Sequence, residues 1–147
     1  MTLVAEFHRA TGDTVPAYPT PPDKDTARLR IKLITEEFEE VVRELRRLML
    51  HEELGSTLDD RLATMSDLLK ELCDLQYVVQ GTADALGLGD VFDEAYHHVH
   101  GSNMTKVWPD GTVHRRADGK VLKPDYYVSP DMSPFVQVHD HQEDLDA

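Results

Sequence analysis

The stretch Asp67-Leu68-Leu69-Lys70-Glu71-Leu72-Cys73-Asp74-Leu75-Gln76-Tyr77-Val78-Val79 decides how this chain is read. Leu68, Leu72, Leu75, Val79 and, further on, Leu86 recur at helical spacing and define an apolar stripe. Glu71 falls inside the edge of that stripe, with Asp74 and Asp67 on its flank. Asp67, Glu71, Asp74 and Val78 step by four, three and four, so acids stand where a helical bundle expects core side chains. An ionised carboxylate facing a core is costly unless it is paired or holds a metal. Few basic residues lie nearby, chiefly Lys70 and Arg61.

Upstream, a second long helical pattern repeats the theme. Ile34, Phe38, Val41, Leu45 and Met49 cluster on one side of a helical wheel, which makes them the expected core stripe. Glu36, Glu37 and Glu40 share an adjoining arc of about 100° with Leu29 and Leu33. Two helices that each offer acids to one groove make a hard, all-oxygen site suited to magnesium or manganese. Glu-rich helices also form ordinary solvated faces, and Arg43 and Arg46 are spaced to pair with Glu40 and its neighbours. The residue pattern alone leaves both readings open.

Around these two helices the chain is organised by its prolines and glycines. Thr2–Ala10 is expected to form a short helix closed by Gly12, and Pro16, Pro19, Pro21 and Pro22 mark an extended connector. Asp25 or Thr26 is expected to cap a helix ending near Leu54, and Ser56 or Thr57 one ending near Leu86. Asp90 should cap a shorter helix through His100. Beyond Gly101, Pro109-Asp110-Gly111 and Ala117-Asp118-Gly119 are turn signals beside short β-prone runs, the pattern of a small hairpin-like appendage. The expectation is an all-α, four-helix-bundle-type module over residues 1–130 with that appendage. Residues 131–147 read as an acidic tail.

Among 147 residues, 28 are acidic and 15 basic, for a net charge of −13. Such a surface repels nucleic-acid backbones but can hold phosphates through bound cations. Apolar runs fall short of a membrane span, no secretory segment is evident, and the one cysteine, Cys73, fits a reducing, cytoplasmic compartment. A modest core and two long amphipathic helices favour assembly, as a homodimer or a larger homo-oligomer.

Glu36-Glu37-x-x-Glu40 followed by Glu71-x-x-Asp74 resembles the signature of the all-α NTP pyrophosphohydrolases, a group that includes MazG-like proteins, dimeric dUTPases and phosphoribosyl-ATP pyrophosphohydrolases. Asn103-Met104-Thr105-Lys106 is similar to the Asn-x-x-Lys element of MazG-like members. Gly119-Lys120-Val121-Leu122-Lys123-Pro124, with Tyr127, resembles their Gly-Lys-x-x-Lys-Pro tail. The resemblance implies a magnesium-dependent enzyme that cleaves a nucleoside triphosphate between its α- and β-phosphates, with dUTP as first candidate and manganese as a substitute ion. It further implies Glu37, Glu40, Glu71 and Asp74 as metal ligands and Glu36 as a further ligand or the base. Asn103, Lys106, Lys120, Lys123 and Tyr127 would bind substrate, and Phe7, His8 and the proline segment would shape base selection. The 30 residues between Glu40 and Glu71 are slightly more than compact members have.

A non-catalytic helical interaction module is the competing reading from a different class. His97, His98 and His100 lack the partners of a zinc site, and Cys73 lacks those of a nucleophile. Walker-type phosphate loops are absent from the sequence.

Overall fold

The computed structural model describes residues 3–137; Met1, Thr2 and 138–147, which carry most of the expected acidic tail with His139 and His141, lie outside the described residues. Those described form four helices, α1 (Leu3–Thr11), α2 (Lys24–Glu53), α3 (Leu58–Ala85) and α4 (Gly89–Met104), plus a short 3₁₀ turn at Ser133–Val136. The all-α expectation holds, and no helix among them is long and apolar enough to cross a membrane. They divide at Gly89 into two compact units.

In the first unit, the cap of α2 is Asp23 rather than the expected Asp25 or Thr26; its Oδ1 accepts from Thr26 N at 2.7 Å. α3 opens with Thr57, which forms a reciprocal capping box with Asp60. Between them Gly55 takes φ +65°, a left-handed value that closes the helix hairpin at no Cβ cost. Cross-helix bonds from His51 to Thr64 and from Arg47 to Asp67 fix α2 and α3 as antiparallel neighbours. The proline connector is tied down where Thr20 N donates to Leu86 O at 2.8 Å. A Cβ at Gly87 would stand 1.8 Å from the Tyr18 carbonyl oxygen, so only glycine fits there.

The seam between α2 and α3 is not the apolar stripe that the wheel nominates as core. Val41 is buried, but Phe38, Leu45 and Met49 are exposed. On α3, Leu72 is exposed and Leu68, Leu75, Val79 and Leu86 are half-buried. The buried positions are instead Glu44 on α2 and Thr64, Glu71, Gly81, Ala83 and Asp84 on α3. Glu37, Val41, Glu44, Leu48 and His51 step by four and three, so the seam is a largely polar heptad line. Helix α1 packs on α3 with Val4, Ala5 and His8 buried.

In the second unit, α4 runs through Gly101 to Met104, four residues past the expected stop. Gly101 is tolerated inside the helix, at about 1 kcal/mol relative to alanine. Asn103 therefore sits in the last helical turn. The appendage contains one isolated antiparallel bridge, Arg115 to Val121, rather than strands. Trp108 packs on His114 with ring centroids 4.2 Å apart, which anchors the first turn.

Candidate functional site

The packing of α2 against α3 brings Glu37 of the first acid motif to Glu71 and Asp74 of the second. Glu37, Glu71 and Asp74 each offer a carboxylate oxygen, all within 4.8 Å of one another, the one such cluster among the described residues. Glu71 is buried at 7% exposure, while Glu37 and Asp74 are half-buried. Lys70 reaches across this cluster: its Nζ donates to Asp74 Oδ2 at 2.7 Å and to Glu71 Oε2 at 3.0 Å. Those two carboxylates, Asp74 first, hold the ammonium above the usual lysine range. Burial pushes the Glu37 carboxyl above the usual carboxylate range, and the charges on Asp74, Glu40 and Glu71 push it further.

Three carboxylates against one ammonium leave two negative charges uncompensated, a deficit that one divalent cation would cancel. The donor set is all oxygen and comes from two rigid helices, which suits such an ion. Glu40 and Glu36 stand apart from the triad. Glu40 pairs with Arg43 at 3.3 Å and Glu36 with Lys32 at 3.6 Å, both along α2. Glu40 still belongs to the charges felt by Glu37.

The other expected site residues belong to the second unit. Lys106 Nζ donates to Asn103 Oδ1 at 2.6 Å. Lys106 and Lys123 lie 5.4 Å and 4.3 Å from the Tyr127 ring centroid, a paired cation–π arrangement. Hydrogen bonding with Ser102, and the two lysine charges, lower the Tyr127 phenol from its ordinary value. Lys120 is not part of this group; its backbone closes the turn with Asp118 and Arg116. The histidines set aside stay outside any metal cluster among the described residues, with His97 Nδ1 against its own helix at Asp93 O, 2.8 Å away.

Sequence reasoning missed three polar residues of the first unit. Glu44 is 3% exposed and takes Arg43 and Arg47 as partners, and Arg47 also reaches Asp67 at 3.1 Å. His51 bridges Ser56 Oγ at 2.8 Å and the buried Thr64 Oγ1 at 2.9 Å. Arg30 lines a cavity beside α1. Glu44 carried a readable signal, because it continues the Glu37–Val41 line by one more turn.

An all-helical chain that presents clustered carboxylates from a Glu-Glu-x-x-Glu helix and a Glu-x-x-Asp helix is of the all-α nucleotide pyrophosphohydrolase class. The chain belongs to the phosphoribosyl-ATP pyrophosphohydrolase family, whose profile matches residues 4–103. That match spans the triad and Asn103, and it makes the chain a divalent-metal-dependent hydrolase of phosphoric anhydride bonds. No curated protein matches the chain.

Proposed function

We propose that the protein is a magnesium-dependent nucleoside triphosphate pyrophosphohydrolase that releases a nucleoside monophosphate and pyrophosphate, with dUTP as the first candidate substrate. The observation that carries this reading is the convergence of Glu37, Glu71 and Asp74 within 4.8 Å. Manganese is the natural substitute ion. When bound, a divalent cation there supplies neutralisation of the polyphosphate and a water acidified toward neutral pH.

The chain's own residues do the rest. Glu37, Glu40, Glu71 and Asp74 hold the cation, with Glu40 turning from Arg43 to complete the set. Glu36 is a further ligand or accepts the proton of the attacking water. The water oxygen bonds to the α-phosphorus, the bridge to the β-phosphorus breaks, and pyrophosphate departs. Asn103, Lys106, Lys120, Lys123 and Tyr127 offer cationic and hydrogen-bonding groups for substrate.

The family profile favours a second substrate reading, phosphoribosyl-ATP, which needs the same anhydride chemistry. The exposed apolar faces support a homodimer or larger homo-oligomer. Leu58, Leu62, Met65, Leu69 and Leu72 follow heptad spacing on α3, and Phe38, Leu45 and Met49 run along α2. The setting we propose is cytoplasmic, in nucleotide-pool maintenance. Pyrophosphate release across a panel of nucleoside triphosphates and phosphoribosyl-ATP, with and without magnesium, tests the reading. Metal-dependent release from at least one is expected; none from any of them would leave a non-catalytic interaction module.

A further inference from the structure

Two buried carboxylates of the α2–α3 seam are met by cations of different kinds. Glu44 has Arg43 and Arg47, whose planar guanidinium forks hold an acceptor at fixed geometry. Glu71 has Lys70, a hydrated point charge on a flexible stem. The Lys70 side chain is 65% exposed, although the carboxylate it serves is nearly closed off. Its pairing with Asp74 is i,i+4 with the base on the N-terminal side, the weaker order for a helical ion pair. Holding an exposed lysine in one rotamer also costs entropy. Local helix energetics therefore give Lys70 little reason to stay. What holds it is the surplus negative charge of three converging acids.

The place it occupies is the place a divalent cation needs. Lys70 Nζ lies 2.7 Å from Asp74 Oδ2 and 3.0 Å from Glu71 Oε2, on the two acids that α3 contributes to the triad. Its charge also reaches Glu37 across the seam, opposing the upward push that burial and the other acids exert there. One ammonium thus acts on all three carboxylates. A magnesium ion draws carboxylate oxygens to about 2.1 Å and tolerates little departure from octahedral geometry. That leaves no room for an ammonium between the same two acids.

We propose that Lys70 is the resident counter-ion of the metal-free site, exchanged off Glu71 and Asp74 when a divalent cation binds. The proposal rests on the reading of Glu37, Glu71 and Asp74 as cation ligands. It deepens that reading by naming the residue that sets their affinity. In the metal-free protein the ammonium relieves the repulsion between the acid of α2 and those of α3. On exchange its stem keeps the charge near the site, where it still offsets part of the deficit. The metal binds less tightly by the cost of that exchange, so Lys70 is a positioning residue rather than a catalytic one.

Manganese binding, read by electron paramagnetic resonance, tests the exchange without requiring turnover. Lys70→Met should bind manganese at least about tenfold more tightly, since a unit charge a few ångströms away is worth more than that at protein dielectric. It should also melt lower without metal, and gain more from manganese than the unaltered protein does. Lys70→Arg should bind manganese more weakly, because a guanidinium fork grips carboxylates more firmly. Arg46→Met removes the same charge from an exposed position on α2 and should shift the affinity by less than about twofold. In protein carrying isotope-labelled lysine, the Lys70 ammonium resonance is identified by its loss in Lys70→Met. It should move to the position of a solvent-exposed lysine as magnesium saturates the site. Unchanged or weaker manganese binding by Lys70→Met, tighter binding by Lys70→Arg, an equal gain from Arg46→Met, or a Lys70 resonance that magnesium leaves in place would overturn the assignment. Manganese bound by neither the unaltered protein nor Lys70→Met would defeat the ligand reading itself, and the proposal with it.

Discussion

Two acidic clusters lie on the same pair of helices, and they differ in how their charge is met. In one, Glu40, Glu44 and Asp67 share Arg43 and Arg47, three acids against two bases, and the buried Glu44 touches both arginines. In the other, Glu37, Glu71 and Asp74 face Lys70 alone. Two arginines satisfy the buried Glu44, and Arg47 ties α2 to α3 through Asp67. The deficient cluster keeps Glu37 protonated to higher pH than usual and leaves room for a cation. Buried acids therefore do not mark a metal site by themselves; the shortage of counter-charge does.

The largest expected effect separates the two clusters by function. Asp74→Ala removes a cation ligand and one of the partners of Lys70, and turnover should fall on the order of 10³-fold, because several kcal/mol of metal-derived stabilisation is lost. Circular dichroism should remain helical, since Asp74 is only half-buried. Turnover within a few-fold of the unaltered enzyme would remove Asp74 from the site. Glu44→Leu is the counterpart. It strips Arg43 and Arg47 of a shared buried acceptor and should lower stability by about 1–2 kcal/mol in a denaturant melt, with turnover retained. If activity collapsed with Glu44 while the fold survived, the clamp would belong to the catalytic apparatus.

Glu37→Gln gives a smaller effect of opposite sign. The folded-state pKa of Glu37 lies above its ordinary 4.5, so the folded chain holds that proton more tightly than the unfolded chain does. Its contribution favours folding at low pH and turns unfavourable as pH rises from 4.5 through the raised value. At neutral pH without metal, Glu37→Gln should therefore melt slightly higher than the unaltered protein, and the gain should vanish in acid. The same variant should lose the stabilisation that manganese gives. A lower metal-free melting temperature at neutral pH would show that the Glu37 charge supports the fold instead.

The helices were legible because their signals are local. Helical periodicity, Thr57 before Asp60 and the glycines after each long helix need no tertiary information. Both acid motifs were legible for the same reason, since period 3.6 alone places Glu71 and Asp74 on one face. What sequence could not supply was which face meets which. Phe38, Leu45 and Met49 form the greasier stripe, yet α2 turns its Glu37–Val41–Glu44 line to α3 and leaves that stripe exposed. A wheel ranks faces by hydrophobicity, and that ranking fails when a polar seam is satisfied internally by Arg47, His51 and Thr64. The cavity at Arg30 was hidden because it needs α1, α2 and α3 together, and Gly81 shows no signal until His8 is seen against it.

Asp67 is where sequence and structure part most sharply, and it yields the smallest expected effect. Its spacing of four from Glu71 places it on the acid ladder, as though it were another ligand. In the structure its side chain is 55% exposed and pairs with Arg47 at 3.1 Å, outside the carboxylate triad. Exposed ion pairs are weak because water screens them and ordering two side chains costs entropy. Arg47 also keeps Glu44 as its buried partner, so losing Asp67 leaves no charge stranded. Asp67→Asn should therefore match the unaltered protein in melting temperature, manganese affinity and turnover. A weakened manganese affinity would instead show that the site extends one turn further along α3 and that the two clusters act as one.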